Sequence, residues 1–465
     1  MDVRRRRILI GSGIAAIVIV LITVATLLFS TPKPSSYLVS TPFATNIRYP
    51  KVIDDKTIYY FSGSAFVAYD LGSYQTTALT TNFTLPTPSS ISIAKNGAIF
   101  ESSDYTADDQ LAAELVQKGL RIDQDYWWLI DFQSGNISLL GNNSDQNSVQ
   151  GAIWQDDNTY VYAEYQVDSE LFQIYRASIG QAPTKIGAIS SYSRLVSATK
   201  DSLGYLDTSG AEYKYMIMNL ADGTKKEALS GVGAIAASGP DNSVLAIGVK
   251  EVIEPDPSSQ EGSLMLYDGS NNSSKEIFGD FTGSASWQAN SGEILAVGTG
   301  PEGELLTARG KVTDLEATEL RFGVNDISQY GLGLTATGVS SKGLAFTDGT
   351  GQLFLASASP INNLPGLPDQ SSLQQGVYQD AFNLQYDNST TSYVVYIKKN
   401  PYQDNITSAM DYIKSKGLDP YQLNISWRAF NNVDTGFRIP AGQLPEQLAQ
   451  PQFVPEISVG AEPDY

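Results

Sequence analysis

The clearest pattern in this sequence is a polar turn followed by a short apolar strand, which recurs seven times along the chain. Successive turns are separated by 41, 61, 44, 41, 49 and 51 residues. A period in the forties, with about four short strands per unit, is typical of a β-propeller blade. The pattern predicts a mainly β fold, a seven-bladed β-propeller, with six or eight blades as the alternatives. The turns centre on Lys56, Gly97, Asn158, Ser202, Ser243, Gly292 and Gly343.

The first unit shows how the strands are predicted. Short apolar runs at residues 58–61 and 66–69 indicate two strands of a hairpin, and a turn at Gly72 leads to the next strand. Glycine supplies the positive φ that a tight hairpin requires. The same pattern places the propeller at residues 37–370. We expect residues 37–42 to add a strand to the final blade, which would close the ring of sheets.

The N-terminal segment, residues 1–30, predicts a membrane anchor. Four arginines at positions 4–7 precede an uncharged run over residues 8–29. A helix of this length would measure about 33 Å, which is enough to cross a bilayer. The arginines favour a cytoplasmic N-terminus, with the rest of the chain extracytoplasmic after a linker at residues 31–36. A cleaved signal peptide is the alternative, but its apolar region is usually about 7–15 residues and ends in small residues.

The charge and the missing residue types narrow the function classes. Without residues 1–30 the chain has 49 acidic and 26 basic residues, a formal charge of −23. A body this acidic repels nucleic acid, so no nucleic-acid partner is expected. The chain has no cysteine and no histidine. Disulfides, zinc sites of the Cys/His type and Ser–His–Asp triads are therefore excluded, and no cofactor is predicted.

Paired carboxylates are the catalytic option that remains. Aspartate is common in turns because its side chain accepts hydrogen bonds from nearby backbone amides. Two carboxylates that flank a sugar bond could also act as a glycosidase pair. Asp123 and Asp125 are retained as candidate binding residues. The pairs on predicted turns are Asp54–Asp55, Asp108–Asp109, Asp123 with Asp125, and Asp156–Asp157.

Four tryptophans are the other candidate binding residues. Trp154 and Trp287 are each followed by glutamine, a polar turn and a strand, and they lie 133 residues apart, about three repeat units. Each ring could pack between neighbouring blades, or it could stack on a sugar or a peptide at the surface. Trp127 and Trp128 are adjacent in a predicted strand at residues 127–131.

The chain predicts two additions to the repeat pattern. Residues 107–118 have helical spacing of apolar positions and form an expected helix on a loop of the second blade. A small α/β module is predicted at residues 371–438, and an acidic, disordered tail at residues 439–465. Within the module we expect a strand at 393–397, a helix at 405–416 capped by Asp404, and a strand at 424–430, either independent of the propeller or docked on it.

The segment from Gly239 to Ala246, GPDNSVLA, resembles the turn and strand of the TolB-like and WD40-like β-propeller superfamily. Residues 94–97 and 341–346 resemble weaker copies of the same motif. The resemblance covers about residues 45–360 and implies the fold alone. The Gly-His and Trp-Asp signatures of WD40 repeats do not occur in these copies.

The sequence thus predicts a single-pass membrane protein whose extracytoplasmic propeller is a non-catalytic binding or scaffold module at the cell surface. Its expected partners are the membrane, through residues 8–29, and a protein or a polysaccharide. One alternative is a carboxylate-dependent glycosidase or lyase that acts on surface polysaccharide. A second alternative is an assembly factor of an envelope complex, with the C-terminal module contacting a neighbour.

Overall fold

The computed structural model describes residues 36–62, 65–80, 88–102, 126–141, 147–248, 262–288, 291–322, 333–361, 363–365, 367, 369–389 and 391–430. Several predicted features lie outside these residues. They are the membrane span at residues 8–29, the helix at 107–118, Asp123, Asp125 and the tail at 439–465. In the part of the chain that is described, no helix is long and apolar enough to cross a bilayer. The described part is mainly β, as predicted, with sheets of four strands that are consistent with a propeller.

The described residues from 36 to 357 form seven consecutive sheets. The first strand, β1 (Ser36–Val39), belongs to the last of them, sheet 7, and sheets 1 to 4 follow β1 along the chain. Each of these four sheets is an antiparallel meander whose strands pair in chain order. Sheet 1 has β2 (Arg48–Val52), β3 (Thr57–Phe61), β4 (Phe66–Asp70) and β5 (Gln75–Ala78). Sheet 2 has β6 (Pro88–Ile93), β7 (Gly97–Ser102), β8 (Tyr126–Asp131) and β9 (Ile137–Leu139). Sheet 3 has β10 (Asn147–Trp154), β11 (Thr159–Gln166), β12 (Leu171–Ser178) and β13 (Thr184–Ser190), and sheet 4 has β14 (Ser193–Ala198), β15 (Ser202–Asp207), β16 (Lys214–Asn219) and β17 (Lys225–Ser230).

Sheets 5 and 6 share one long strand. β21 (Ser273–Trp287) pairs with the preceding strand up to Phe281 and with the following strand from Thr282 onward. The sequence pattern did not predict this continuity. No proline interrupts the segment, so the backbone stays extended from one sheet into the next. The other strands are β18 (Val232–Ser238), β19 (Val244–Gly248) and β20 (Gly262–Asp268) in sheet 5, and β22 (Ile294–Thr299), β23 (Leu305–Gly310) and β24 (Glu316–Ala317) in sheet 6.

Sheet 7 combines strands from both ends of the repeat region. β1 pairs antiparallel with β28, with Leu38 opposite Ser357 and Val39 opposite Ala356. On its other side it pairs parallel with β25, and this bears out the prediction that residues near 37–42 complete the last sheet. The strands from the later part of the chain are β25 (Glu319–Arg321), β26 (Thr335–Ser340), β27 (Gly343–Thr347) and β28 (Leu353–Ser357).

The hydrophobic core is divided among the seven junctions between successive sheets. One cluster fills each junction, for example Phe66, Phe100 and Trp128 between sheets 1 and 2. The cluster around Phe43 and Leu355 joins sheet 7 back to sheet 1. First strands of successive sheets also contact one another, including β26 of sheet 7 and β2 of sheet 1. The remaining junctions are filled by five further clusters.

All seven predicted turns connect the first strand of a sheet to its second strand. In sheet 1 the Ile53 amide bonds the Thr57 carbonyl across the turn. In sheet 4 the Thr199 amide bonds the Ser202 carbonyl in the same way. The repeat that is visible in the sequence therefore marks the same hairpin of every sheet.

The C-terminal module is a four-stranded sheet with one helix. β31 (Ser392–Ile397) and β32 (Ile425–Ala429) confirm the two predicted strands, and they pair in parallel. The helix, α1 (Tyr402–Ser415), begins earlier than predicted, and the prediction of Asp404 as its N-cap is wrong because Pro401 occupies that position. Asp404 lies in the first turn, where a carboxylate suits the positive end of the helix dipole. The remaining strands, β29 (Val377–Tyr378) and β30 (Phe382–Asp387), were not predicted.

The module is docked on sheet 1. The buried Asn46 side chain donates a hydrogen bond of 2.7 Å to the Leu423 carbonyl oxygen. The hydroxyl of Thr76 donates to the Asp419 carboxylate, whose other oxygen accepts the Tyr421 amide at 3.0 Å. Of the two arrangements left open by the sequence, these contacts support the docked one.

Loss of the hydroxyl group should affect stability differently at two buried tyrosines. Tyr60 lies near this junction, and Tyr215 lies in sheet 4. Tyr60 lies beneath the docked module, and no described residue accepts or donates a hydrogen bond at its hydroxyl. The Tyr215 hydroxyl donates to the Asn242 carbonyl oxygen at 2.9 Å. Burial raises the pKa of both phenols, so both are neutral at pH 7.

We expect Tyr60→Phe to leave the free energy of unfolding unchanged or to raise it by about 1 kcal/mol. Tyr215→Phe should lower it by about 1–3 kcal/mol, because the substitution leaves buried partners without a hydrogen bond. Urea unfolding at pH 7, followed by circular dichroism, measures both. Equal losses from the two variants would contradict this assignment of the hydroxyls.

Candidate functional site

In each predicted pair that is described, the first aspartate holds its own turn. Oδ1 of Asp54 accepts hydrogen bonds of 2.9 Å from the amides of Lys56 and Thr57. Oδ1 of Asp156 accepts hydrogen bonds from the amides of Asn158, at 2.9 Å, and Thr159, at 2.8 Å. These contacts are the ones by which aspartate stabilises a turn.

Side chains join the turns of neighbouring sheets. Nδ2 of Asn96 donates to Oδ1 of Asn158 at 2.7 Å, which links sheets 2 and 3. Oγ of Ser341 donates to the Asp55 carbonyl oxygen at 2.8 Å, which links sheets 7 and 1. The buried Asn242 accepts from Ser197 at 2.7 Å and so links sheets 4 and 5. Side-chain hydrogen bonds therefore hold these three pairs of neighbouring sheets together near their turns.

A concave pocket of about 490 Å³ lies beside the turns of sheets 1 and 6. Two of its acids, Asp54 and Asp70, are used within turns. Asp54 accepts the amides described above, and Oδ1 of Asp70 accepts a hydrogen bond from the amide of Ser73 at 2.6 Å. These hydrogen bonds hold the pKa of Asp70 below its ordinary value. Among the described residues, no group of three acids has the spacing of a metal site. The described residues that line the pocket include no aromatic ring, and they are Ile53, Asp54, Asp55, Lys56, Thr57, Asp70, Gln288 and Ser291.

Trp154 and Trp287 occupy equivalent positions three sheets apart. The Trp154 ring lies against Gly97 of sheet 2, and its Nε1 donates to the Ser92 carbonyl oxygen at 2.9 Å. The Trp287 ring lies against Gly239 of sheet 5, and no described residue accepts a hydrogen bond from its Nε1. Each ring thus packs on the preceding sheet, which is the arrangement that the packing interpretation predicts.

The contact between Trp287 and Gly239 leaves no room for a side chain. A Cβ at position 239 would lie 2.2 Å from the indole ring, so the ring must move if one is added. We expect Gly239→Ala to lower the free energy of unfolding by about 1–3 kcal/mol through overpacking. Gly151→Ala is the matched control, because a Cβ there meets no atom within 4 Å. Urea unfolding of both variants tests this, and an equal, small effect at the two positions would contradict it.

The other tryptophans are also interior. Trp128 is fully buried in the cluster between sheets 1 and 2, and Trp127 is 7% exposed between sheets 2 and 3. The structure does not bring the four tryptophans together at one surface, and none of them is exposed. Their role in binding, with that of Asp123 and Asp125, stays a prediction.

A surface that the sequence reasoning missed lies at the other end of sheets 3 and 4, away from the seven turns. Eight large hydrophobic side chains of the described residues are exposed, and half of them are here. Their signal in the sequence is an apolar residue inside an otherwise polar turn, as in QVDSE and SSYS. We call this surface the aromatic edge, defined by Val167 (44% exposed), Leu171 (38%), Tyr192 (65%) and Tyr213 (41%).

Carboxylates surround the aromatic edge. Hydrogen bonds from Ser209 hold the pKa of Asp207 below its ordinary value, which keeps this group ionised. Basic groups near these turns are Arg194 on β14, Lys225, whose ammonium lies over the Tyr205 ring at 5.9 Å, and Lys214, whose ammonium is paired with Glu227 at 2.8 Å. The edge is therefore apolar at its centre and negative around it. The acids in its turns are Asp168, Glu170, Asp207 and Glu212.

Comparisons with known proteins give similarity in fold alone. No family model matches the chain, and no curated protein matches it in sequence. An oligogalacturonate lyase in complex with manganese is 10% identical, with a TM-score of 0.42 over 68% of this chain and 89% of that chain. The β-propeller domain of the Trilobed protease from Pyrococcus furiosus is 11% identical, with a TM-score of 0.41 over 71% of this chain and 100% of that chain.

TolB from Acinetobacter baumannii is 14% identical, with a TM-score of 0.33, and the match spans 50% of this chain and about half, 53%, of that chain. TolB, which the segment at residues 239–246 resembles in sequence, is thus among the structures that match this chain. At these identities and scores the similarity says nothing of activity, ligand or partner.

Proposed function

We propose that the seven sheets are the blades of a closed seven-bladed β-propeller, and that this propeller is a non-catalytic binding module. The proposal of a closed ring is supported by the contact of β26 with β2 and by the cluster that joins sheets 7 and 1. β1 would close the ring by pairing with β28 inside the last blade. A propeller presents rigid loops at both ends of its sheets, which suits it to hold a partner.

The observation that favours binding over catalysis is how the acids of the turns are used. An enzyme that cleaves glycosidic bonds needs two carboxyl groups that face a shared cleft, about 5–10 Å apart. Asp54 and Asp156 instead accept backbone amides of their own turns. The exposed aromatic edge offers what an interface requires, namely apolar side chains bordered by charge.

The test is to measure binding and turnover on the same sample. The full chain is incubated with panels of labelled peptides and soluble polysaccharides, and ligands that bind are recovered and weighed by mass spectrometry. We expect saturable binding of a ligand whose mass is unchanged. Conversion of any bound ligand to a product would contradict a non-catalytic role.

The pocket beside sheets 1 and 6 supports a second candidate, a carboxylate-dependent enzyme. Asp55 lines this pocket together with Asp54 and Asp70. If the pocket were catalytic, Asp55→Asn would abolish turnover of a polysaccharide substrate while leaving binding intact. Product formation that survives this substitution, and the substitution of Asp54 and Asp70, would exclude the pocket.

We also propose that the chain is anchored by a single span at residues 8–29, with the propeller extracytoplasmic. The support is the uncharged run and the arginines at positions 4–7. Protease treatment of intact cells tests the topology. Digestion of the propeller on intact cells is expected, whereas digestion only after lysis would contradict the proposed orientation.

A further inference from the structure

We propose that the aromatic edge binds an extended, lysine- and arginine-rich segment of a partner protein. The inference rests on the proposed function as a binding module, and it adds the surface used and the chemistry of the partner. It is carried by the juxtaposition of exposed tyrosine and aliphatic side chains with carboxylates across three successive turns.

The backbone segments that carry the apolar residues are linked across the ends of sheets 3 and 4. Leu171 begins β12 opposite Ser190, whose hydroxyl accepts the Tyr192 amide at 3.3 Å. The Tyr192 carbonyl oxygen accepts the amide of Thr208 at 2.8 Å. Thr208 and Tyr213 belong to the same connection between β15 and β16. The residues therefore follow one another across the ends of sheets 3 and 4, a shape that suits an elongated ligand.

The backbone beneath these side chains is held in place. Besides its amide bond, Thr208 donates its hydroxyl to the Tyr192 carbonyl oxygen at 2.6 Å. The Tyr213 carbonyl oxygen accepts the Val232 amide of the next sheet at 3.1 Å. Tyr165 and Phe172, whose ring centroids lie 5.8 Å apart, flank the turn that carries Val167. A surface already held in its binding shape loses less entropy when a ligand binds.

The charges select the kind of partner. Asp168, Glu170, Asp207 and Glu212 lie on the same turns as the apolar side chains, whereas Lys214 is already neutralised by Glu227. Arg194 at the start of β14 and Lys225, whose ammonium lies over the Tyr205 ring at 5.9 Å, are further basic groups near these acids. A cationic segment gains attraction from the acids, and its ammonium or guanidinium groups can also lie over the tyrosine rings.

The same charges argue against binding of a second copy of the chain or of a polysaccharide at the aromatic edge. A second copy of the chain would bring a negative surface against a negative surface, which is unfavourable at a two-fold contact. An acidic polysaccharide would be repelled as well. A neutral polysaccharide could stack on the tyrosines, but it would gain nothing from the surrounding carboxylates. The observations therefore favour the basic segment.

The experiment measures the affinity of the full chain for a fluorescent twelve-residue peptide of alternating lysine and valine, by fluorescence anisotropy. Peptides with glutamate or serine in place of lysine are the matched probes. The chain as a whole is acidic, so weak binding of any cationic peptide is expected. Variants of the aromatic edge therefore show whether the peptide binds at this surface.

We expect Tyr192→Ala with Tyr213→Ala to weaken binding of the lysine peptide by about tenfold or more. Tyr192→Phe with Tyr213→Phe should restore it, because the aromatic rings remain. Tyr378→Ala is the control, since Tyr378 is 59% exposed in the C-terminal module. Asp168→Asn with Glu170→Gln should weaken binding and reduce its dependence on salt.

Unchanged affinity in the double alanine variant, or equal affinity for the glutamate peptide, would overturn the inference. Tyrosine-dependent binding of a neutral polysaccharide, without binding of the lysine peptide, would overturn it too. If ligands bind in a way that the edge variants do not affect, the inference fails and the proposed binding module stands. Conversion of a bound ligand to product tests the proposed function separately.

Discussion

A chain that begins at residue 41 is expected to be far less stable than a chain that begins at residue 36. The five additional residues contain β1, which fills the space between β25 and β28. The Tyr37 side chain is buried there, and the Arg309 guanidinium lies over its ring at 5.7 Å. Loss of this aromatic side chain alone should lower the free energy of unfolding by about 3–5 kcal/mol.

The truncation should also change how the protein associates. Without β1, strand β28 presents an unpaired edge and β25 has no partner among the described strands, and exposed edges pair with other chains. We expect the shorter chain to aggregate, as measured by light scattering, and to unfold at lower urea concentration. The chain from residue 36 is the control because it retains β1. Equal stability of the two truncated chains would mean that β1 does not complete sheet 7.

Trp128→Ala is the substitution with the second large expected effect. The ring is fully buried between sheets 1 and 2, and it is stacked on Phe100 with centroids 6.4 Å apart. Its removal leaves a cavity in the cluster around Phe66, which should lower the free energy of unfolding by about 3–5 kcal/mol. Urea unfolding followed by tryptophan fluorescence and circular dichroism measures the loss.

Two controls separate packing from a binding role of this tryptophan. Trp128→Phe should cost less than Trp128→Ala, because a smaller ring still fills part of the space. Tyr378→Ala removes an exposed ring and should change stability little. A Trp128→Ala variant with unchanged stability and lost ligand binding would show that the ring contacts a ligand.

The repeated hairpin is the feature that sequence reasoning captured well. Each turn needs polar residues or glycine at fixed places, and each second strand that follows needs apolar ones, so the pattern survives in the residues themselves. The seven turns, the strand added by β1 and the equivalent places of Trp154 and Trp287 were all visible in this way. Local chemistry determines all of these features.

Features that depend on distant residues could not be seen. The shared strand β21 has no marker except the lack of a turn. The strand β30 is a different case, because its six residues alternate between apolar and polar throughout and this local signal was missed. Docking of the module on sheet 1 depends on Asn46 and Leu423, which are far apart in sequence. The aromatic edge arises because three turns from two sheets meet, and no single turn would reveal it.

The place of β1 in sheet 7 has a consequence for synthesis on the ribosome. Residues 36–39 leave the exit tunnel before all the other described strands, but their antiparallel partner β28 lies about 320 residues later in the chain. At about 5–20 residues per second, the early strand waits roughly 15–60 s before its partner exists. During that interval chaperones have access to an unpaired strand, and the two ends of the repeat region can join only after about three-quarters of the chain has been translated.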